Sequence, residues 1–138
     1  MASFLIDTSA LARGQSRAEV RAVLDPLVLD GQVATCGIVD LEVLYSASSR
    51  ASYRAAREAL EGMPRVAVQE SCIARALEVQ GLLAARSQHR GVPLPDLLIA
   101  ACAESAGLTV LHYDADYERI AKVTGQPVQW IVPRGSTS

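Results

Sequence analysis

The chain has 138 residues, half of them hydrophobic, which suits one compact domain with a substantial core. Its formal net charge is −2, so no basic surplus marks it as a nucleic-acid binder. No apolar run reaches the roughly 18 residues of a membrane span, and Asp7 follows the first residues too closely for a signal peptide. Cys36, Cys72 and Cys102 are odd in number and in no C-x-x-C spacing, so they read as buried thiols of a reducing, cytoplasmic setting.

"SFLID" predicts a short buried strand, and Asp7 at its end is placed to cap a following helix. Residues 17–29 carry Val20, Val23, Leu24 and Leu27 at helical spacing, with a break or kink expected at Pro26. "QVATC" predicts a second strand and "IVDLEVLYSA" a helix. Residues 50–61 form an amphipathic helix with Arg50, Arg54 and Arg57 along one side. "RVAV" predicts a third strand, followed by a helix from about Ser71 to Gln88 with Ile73, Leu77 and Val79 among its apolar positions. "HRGVPLPD" is a loop by its Gly and Pro content, and a helix runs from Asp96 to Ala106, ending on Gly107. "LTVLHY" predicts a fourth strand, "DADYERIAKVTG" a helix and "VQWIV" a fifth strand; "PRGSTS" is expected to be a disordered tail. Short strands alternating with helices predict an α/β fold whose parallel sheet is covered on both faces.

Ligands of such sheets bind beyond the carboxyl ends of the strands. Asp7 follows the first strand there, and Asp114 and Asp116 follow the fourth. Glu42 sits in the apolar helix after the second strand, and Asp96 opens the apolar helix that leads into the fourth. Each acid alone has a plain structural reading, as a helix cap or a solvated helix position. Four segments converging on one sheet edge are another matter. Like charges there raise one another's pKa, and a hard divalent cation such as Mg²⁺ removes that penalty. Other acidic sites fit less well. "DADYERIAKVTG" has Arg119 where an EF-hand needs Gly and Gly125 where it needs Glu. The first strand lacks the D-x-D of the phosphatase pattern, and the single lysine, Lys122, lies inside a helix rather than at the strand end a receiver domain would need. His89 and His112 show no metal-ligand spacing, and His112 is expected to pack at a strand end.

These motifs together, "FLIDTSAL", "GIVDLEVLYSA", "LPDLLIAACAESAGLTVLHYDADYERIA" and "QWIV", resemble those of PIN domains, and most closely the VapC group of bacterial toxin ribonucleases. The resemblance spans nearly the whole chain and implies a three-layer α/β/α domain over residues 1–132, built on about five strands, with the tail at 133–138. By position, Asp7, Glu42, Asp96 and Asp114 match the family's acidic quartet, with Asp116 as an accessory metal ligand. Asp40, two residues from Glu42, points elsewhere on its helix. Many relatives carry Thr or Ser two residues before the fourth acid, where this chain has His112; Thr8 and Ser9 are left to supply a hydroxyl contact.

The resemblance implies a Mg²⁺-dependent endoribonuclease, with Mn²⁺ as a substitute, cleaving single-stranded RNA by attack of metal-activated water. It also implies a VapB-type antitoxin, a homodimer, contact with DNA only through the antitoxin, and no membrane association. All basic residues but Lys122 are Arg, which suits phosphate, and Arg13, Arg17, Arg86 and Arg90 flank the first and third acids. Two alternatives stay open: a PIN-like domain for RNA processing or binding without toxin function, and a non-catalytic interaction module.

Overall fold

The computed structural model describes residues 1–136. In chain order the elements are β1 (Phe4–Ile6), α1 (Thr8–Ser16), α2 (Ala18–Leu29), β2 (Val33–Cys36), α3 (Gly37–Tyr45), α4 (Arg50–Glu61), β3 (Arg65–Val66), α5 (Glu70–Ala84), α6 (Leu94–Ala106), β4 (Thr109–His112), α7 (Asp116–Thr124) and β5 (Val128–Trp130). Five parallel strands lie in the order β3-β2-β1-β4-β5. The chain moves outward from β1 to β3, then crosses back to place β4 on the free side of β1. The order therefore reverses between β1 and β4, and a crevice opens at their carboxyl ends.

Alternation along the strands decides which helices cover which face. Leu5, Ala34 and Val110 join a core with buried residues of α3, α5, α6 and α7. Their neighbours Ile6, Val33 and Leu111 turn to the other face and pack with Ala10, Val20 and Leu24 of α1 and α2. This is the three-layer arrangement expected. All three cysteines are free and buried. With only 4% aromatic residues, the first core is filled largely by Ala, Val and Leu, and α6 alone buries Leu97, Ile99, Ala100, Ala101, Cys102 and Ala103.

Several element boundaries depart from the sequence expectation for local reasons. Helix α2 continues through Pro26 to Leu29. The ring removes one N–H from the ladder, yet the Asp30 N–H still reaches the Pro26 carbonyl at 3.1 Å and closes the last turn. Helix α5 stops at Ala84 rather than Gln88: Ser87 takes a left-handed φ of 56°, and the Gln88 N–H turns back to the Leu83 carbonyl at 2.9 Å. Helix α6 starts at Leu94, two residues before Asp96, because Pro95 is tolerated in a first turn. Gly107 ends it with φ 70°, as its sequence position predicts. The β3 edge is only two residues long.

Two apolar positions of α5 do not enter the core. Ile73 is 41% and Leu77 65% exposed, while Cys72, Ala76, Val79 and Leu83 are buried. With Leu94 and Leu98 of α6, Ile73 and Leu77 line a shallow apolar groove of about 160 Å³. Pro133–Ser136, within the segment expected as a disordered tail, make a turn in which the Gly135 N–H donates to the Tyr113 hydroxyl at 2.9 Å; residues 137 and 138 lie outside the described residues. No helix among the described residues is long and apolar enough to cross a membrane.

Candidate active site

Asp7 ends β1 and caps α1, so the plain structural reading of this residue holds. Its Oδ2 accepts the Ser9 N–H at 3.0 Å and the Ser9 hydroxyl at 2.5 Å. Its Oδ1 accepts the Tyr117 hydroxyl at 2.6 Å, across the sheet from α7. Ser9 Oγ in turn accepts the Tyr113 N–H at 2.9 Å, which ties the β1–α1 junction to the end of β4. Asp7 is 2% exposed, and only this set of donors makes such burial tolerable for a carboxylate.

Glu42 lies on the half-buried side of α3, where its Oε1 accepts the Thr8 hydroxyl at 2.7 Å. Thr8 and Ser9 thus supply the hydroxyl contacts expected of them, each to a different acid. Asp40 points away, as expected, and pairs with Arg65 while accepting the Thr35 hydroxyl at 2.8 Å. At β4, Asp114 Oδ1 accepts the Asp116 N–H at 2.9 Å and so fixes the start of α7. Asp116 forms an ion pair with Arg119 one turn on. Burial, followed by the Asp114 charge, pushes the Asp116 carboxyl above its usual range.

Asp96 sits in the first turn of α6, 7% exposed, and its Oδ2 is buried with no hydrogen-bond partner. Burial chiefly, then the charges of Asp7, Asp114, Asp116 and Glu42, push its carboxyl up to about 8. The four other acids thus all act on Asp96, and one oxygen each of Asp96, Asp114 and Asp116 lie within 4.8 Å of one another. An orphaned carboxylate oxygen facing like charges, in a set of hard oxygen donors, fits a divalent cation of the Mg²⁺ type. Asp7 and Glu42 stand outside that tightest group but within its field.

His112 stands two residues before Asp114, where the resemblance implied a hydroxyl. The ring is fully buried between Tyr117 and Trp130, with centroids 5.0 and 4.9 Å away. Its Nδ1 accepts the Asp114 N–H at 3.1 Å, so the neutral ring carries its proton on Nε2, which has no partner. Burial lowers its pKa against the opposing pull of Asp7, Asp114 and Glu118. It positions the Asp114 backbone and packs at the strand end, as expected.

Tyr117 escaped the sequence reading. It lies on the inward side of α7 with Ile120 and looks like an ordinary core position. The available signal was its hydroxyl, because a fully buried tyrosine needs a polar partner, and the acids beside this helix offer one. Of the basic residues proposed for phosphate, Arg13 lies with its guanidinium carbon 3.9 Å from the centre of the Tyr113 ring, beside the cleft.

Residues 4–123 match the PIN domain family. The chain is 51% identical to Ribonuclease VapC51 of Mycobacterium tuberculosis over 133 residues, covering 96% of each chain. It is 44% identical to Ribonuclease VapC18 of the same organism, covering 96% of this chain and 98% of the relative. Among solved structures, the DNA-bound VapBC of Salmonella typhimurium superposes with a TM-score of 0.77 over 96% of this chain and 100% of that one. At 17% identity this last likeness speaks for the fold alone.

Proposed function

The chain belongs to the PIN domain family and to its group of VapC ribonucleases, and from that premise we propose that it is the ribonuclease toxin of a toxin–antitoxin pair, cutting single-stranded RNA at the acidic crevice with a divalent cation. The observation that carries this reading is Asp96: a buried carboxylate with an unpartnered oxygen, surrounded by four other acids, is costly to hold unless a cation neutralises the group. Asp96, Asp114 and Asp116 would hold the ion, with Asp7 and Glu42 completing its acidic surround. Bound there, Mg²⁺ or Mn²⁺ supplies a Lewis acid for phosphoryl oxygens and a water of lowered pKa.

The remaining chemistry is performed by the chain itself. Ser9 and Tyr117 hold both oxygens of Asp7, so its orientation is set before substrate arrives. Thr8 does the same for Glu42. With its carboxyl at about 8, Asp96 retains a proton at neutral pH until a cation displaces it, so cation binding releases protons. His112 stays neutral and adds no positive charge to compete for the acids.

The partner chemistry follows the same premise. A groove of about 670 Å³ between α3 and α4, lined by Ile38, Leu41, Leu44 and Leu60, supports an antitoxin segment as its occupant. The exposed apolar strip of Ile73, Leu77 and Leu94 supports self-association, which light scattering at micromolar concentration checks. Incubation with unstructured RNA tests the central reading. Cleavage should need Mg²⁺ or Mn²⁺, stop in EDTA, and leave 5′-phosphate and 3′-hydroxyl ends. RNA that stays intact under all these conditions would refute the ribonuclease reading.

A further inference from the structure

The chain holds six aromatic residues besides its histidines, and two of them, Tyr113 and Trp130, stand half-buried together beside the acids. Tyr113 packs against the second core and Trp130 against His112, and neither is fully buried. Their rings meet edge to face, with centroids 5.2 Å apart and planes at 88°. The Arg13 guanidinium lies over Tyr113 at 3.9 Å, and that of Arg134 lies 5.7 Å from the centre of Trp130. The result is a row of cation, ring, ring and cation at the carboxyl ends of β4 and β5.

This row is held in place from several sides. The Trp130 indole N–H donates to Glu118 at 2.9 Å, and Glu118 also receives Arg134 at 3.8 Å. The Tyr113 hydroxyl accepts the Gly135 N–H, and the Tyr113 N–H binds the same Ser9 hydroxyl that donates to Asp7. Tyr113 is also the residue before Asp114. The row is therefore continuous with the acidic crevice, two hydrogen bonds from its first carboxylate.

The geometry points to a substrate subsite in which Tyr113 and Trp130 stack an unpaired base of the RNA next to the cleavage position, while Arg13 and Arg134 contact the phosphates on either side. This assignment rests on the ribonuclease reading and goes beyond it. Carboxylates repel an incoming phosphate chain, so the strand needs cationic purchase just outside the crevice. Aromatic rings and guanidinium planes are the side chains on which single-stranded bases stack, and stacking tolerates any base. Rings already fixed by hydrogen bonds lose little freedom when a base arrives.

Trp130 is the chain's single tryptophan, so its fluorescence reports on this subsite alone. The full chain carrying Asp96→Asn, to keep the RNA whole, is titrated with an unstructured 12-nucleotide RNA in Mg²⁺. Saturable quenching is expected, and a matched oligonucleotide with abasic positions should quench far less. In the otherwise native chain, Trp130→Ala should raise KM by about 5- to 100-fold, and Trp130→Phe, which keeps a ring against His112, should recover much of the loss. Arg134→Gln, at an exposed position with little bearing on folding, should lower the slope of log Kd against log salt by about 1. RNA that is bound and cleaved with no quenching, and with KM unmoved by Trp130→Ala, would overturn the subsite while leaving the ribonuclease reading standing. A native chain that neither binds nor cleaves RNA would overturn both.

Discussion

Replacing Asp96 by Asn removes one buried charge and almost no volume. The native carboxyl binds its proton up to about pH 8, against 3.8 for an unperturbed aspartate. Between those values the folded chain holds a proton that the unfolded chain has released, so stability without metal falls as pH rises from about 4 to about 8 and is level above. Four pH units at about 1.4 kcal/mol each set a ceiling of roughly 6 kcal/mol on this loss. The flanking acids are partly solvated, and at an effective dielectric near 20 the expected figure is about 2–4 kcal/mol. Asn has no proton to release and should escape the loss entirely. Urea unfolding in EDTA should therefore show wild type and Asp96→Asn nearly alike at pH 4.5, with the variant's midpoint higher by roughly 1–2 M at pH 8.5. Mg²⁺ at about a thousand times its Kd should reverse the order, because it stabilises the wild type by about 4.1 kcal/mol and has lost a ligand in the variant. Midpoints that differ by the same amount at every pH, or a variant gaining as much from Mg²⁺ as the wild type, would refute the placement of a charged, cation-binding Asp96 in this cluster.

Tyr117→Phe should leave one Asp7 oxygen without its donor, cost about 1–3 kcal/mol in urea unfolding and lower kcat, while EDTA still abolishes what activity remains. Asp40→Asn should weaken the pairing with Arg65 and cost about 1 kcal/mol, yet keep Mg²⁺-dependent cleavage within a few-fold of wild type; Glu42→Gln should do the opposite. Isothermal titration with Mg²⁺ at pH 7 should show proton release, seen as an enthalpy that changes with the buffer's ionisation heat, and Asp96→Asn should abolish that dependence.

The sequence exposes its acids well because each breaks a local pattern. Asp7 ends an apolar run, Glu42 interrupts an apolar helix, and Asp96 begins one; only the strand-end rule is needed to bring them to one edge. Alternation along β1, β2 and β4 likewise assigns side chains to the two faces. What escapes is any feature set by distant partners. Tyr117 is 110 residues from the carboxylate it holds, and its place on α7 marks a core position, with only its hydroxyl to hint at a polar partner. Ile73 and Leu77 look as apolar as Val79, but the face of α5 turned to the core is the one that carries Cys72, Ala76, Val79 and Leu83. His112 was legible as a packing residue, while its hydrogen bond to the Asp114 N–H required the turn after β4 to be seen.

The strand order also governs when during synthesis the chain becomes dangerous. β1 leaves the ribosome first but lies at the centre of the sheet, and its partner β4 is made about a hundred residues later. Until β4 and α7 are made, Asp7 lacks the Leu111 carbonyl that takes its N–H, the Tyr117 hydroxyl, and the facing acids Asp114 and Asp116. At elongation rates of about 5–20 residues per second, that interval is roughly 5–20 s. Throughout it the β1 side of the crevice has no β4 side to face. A chain ended before β4 lacks Asp114 and Asp116, two of the three acids that converge on one point, so premature termination yields a fragment without the acidic cluster.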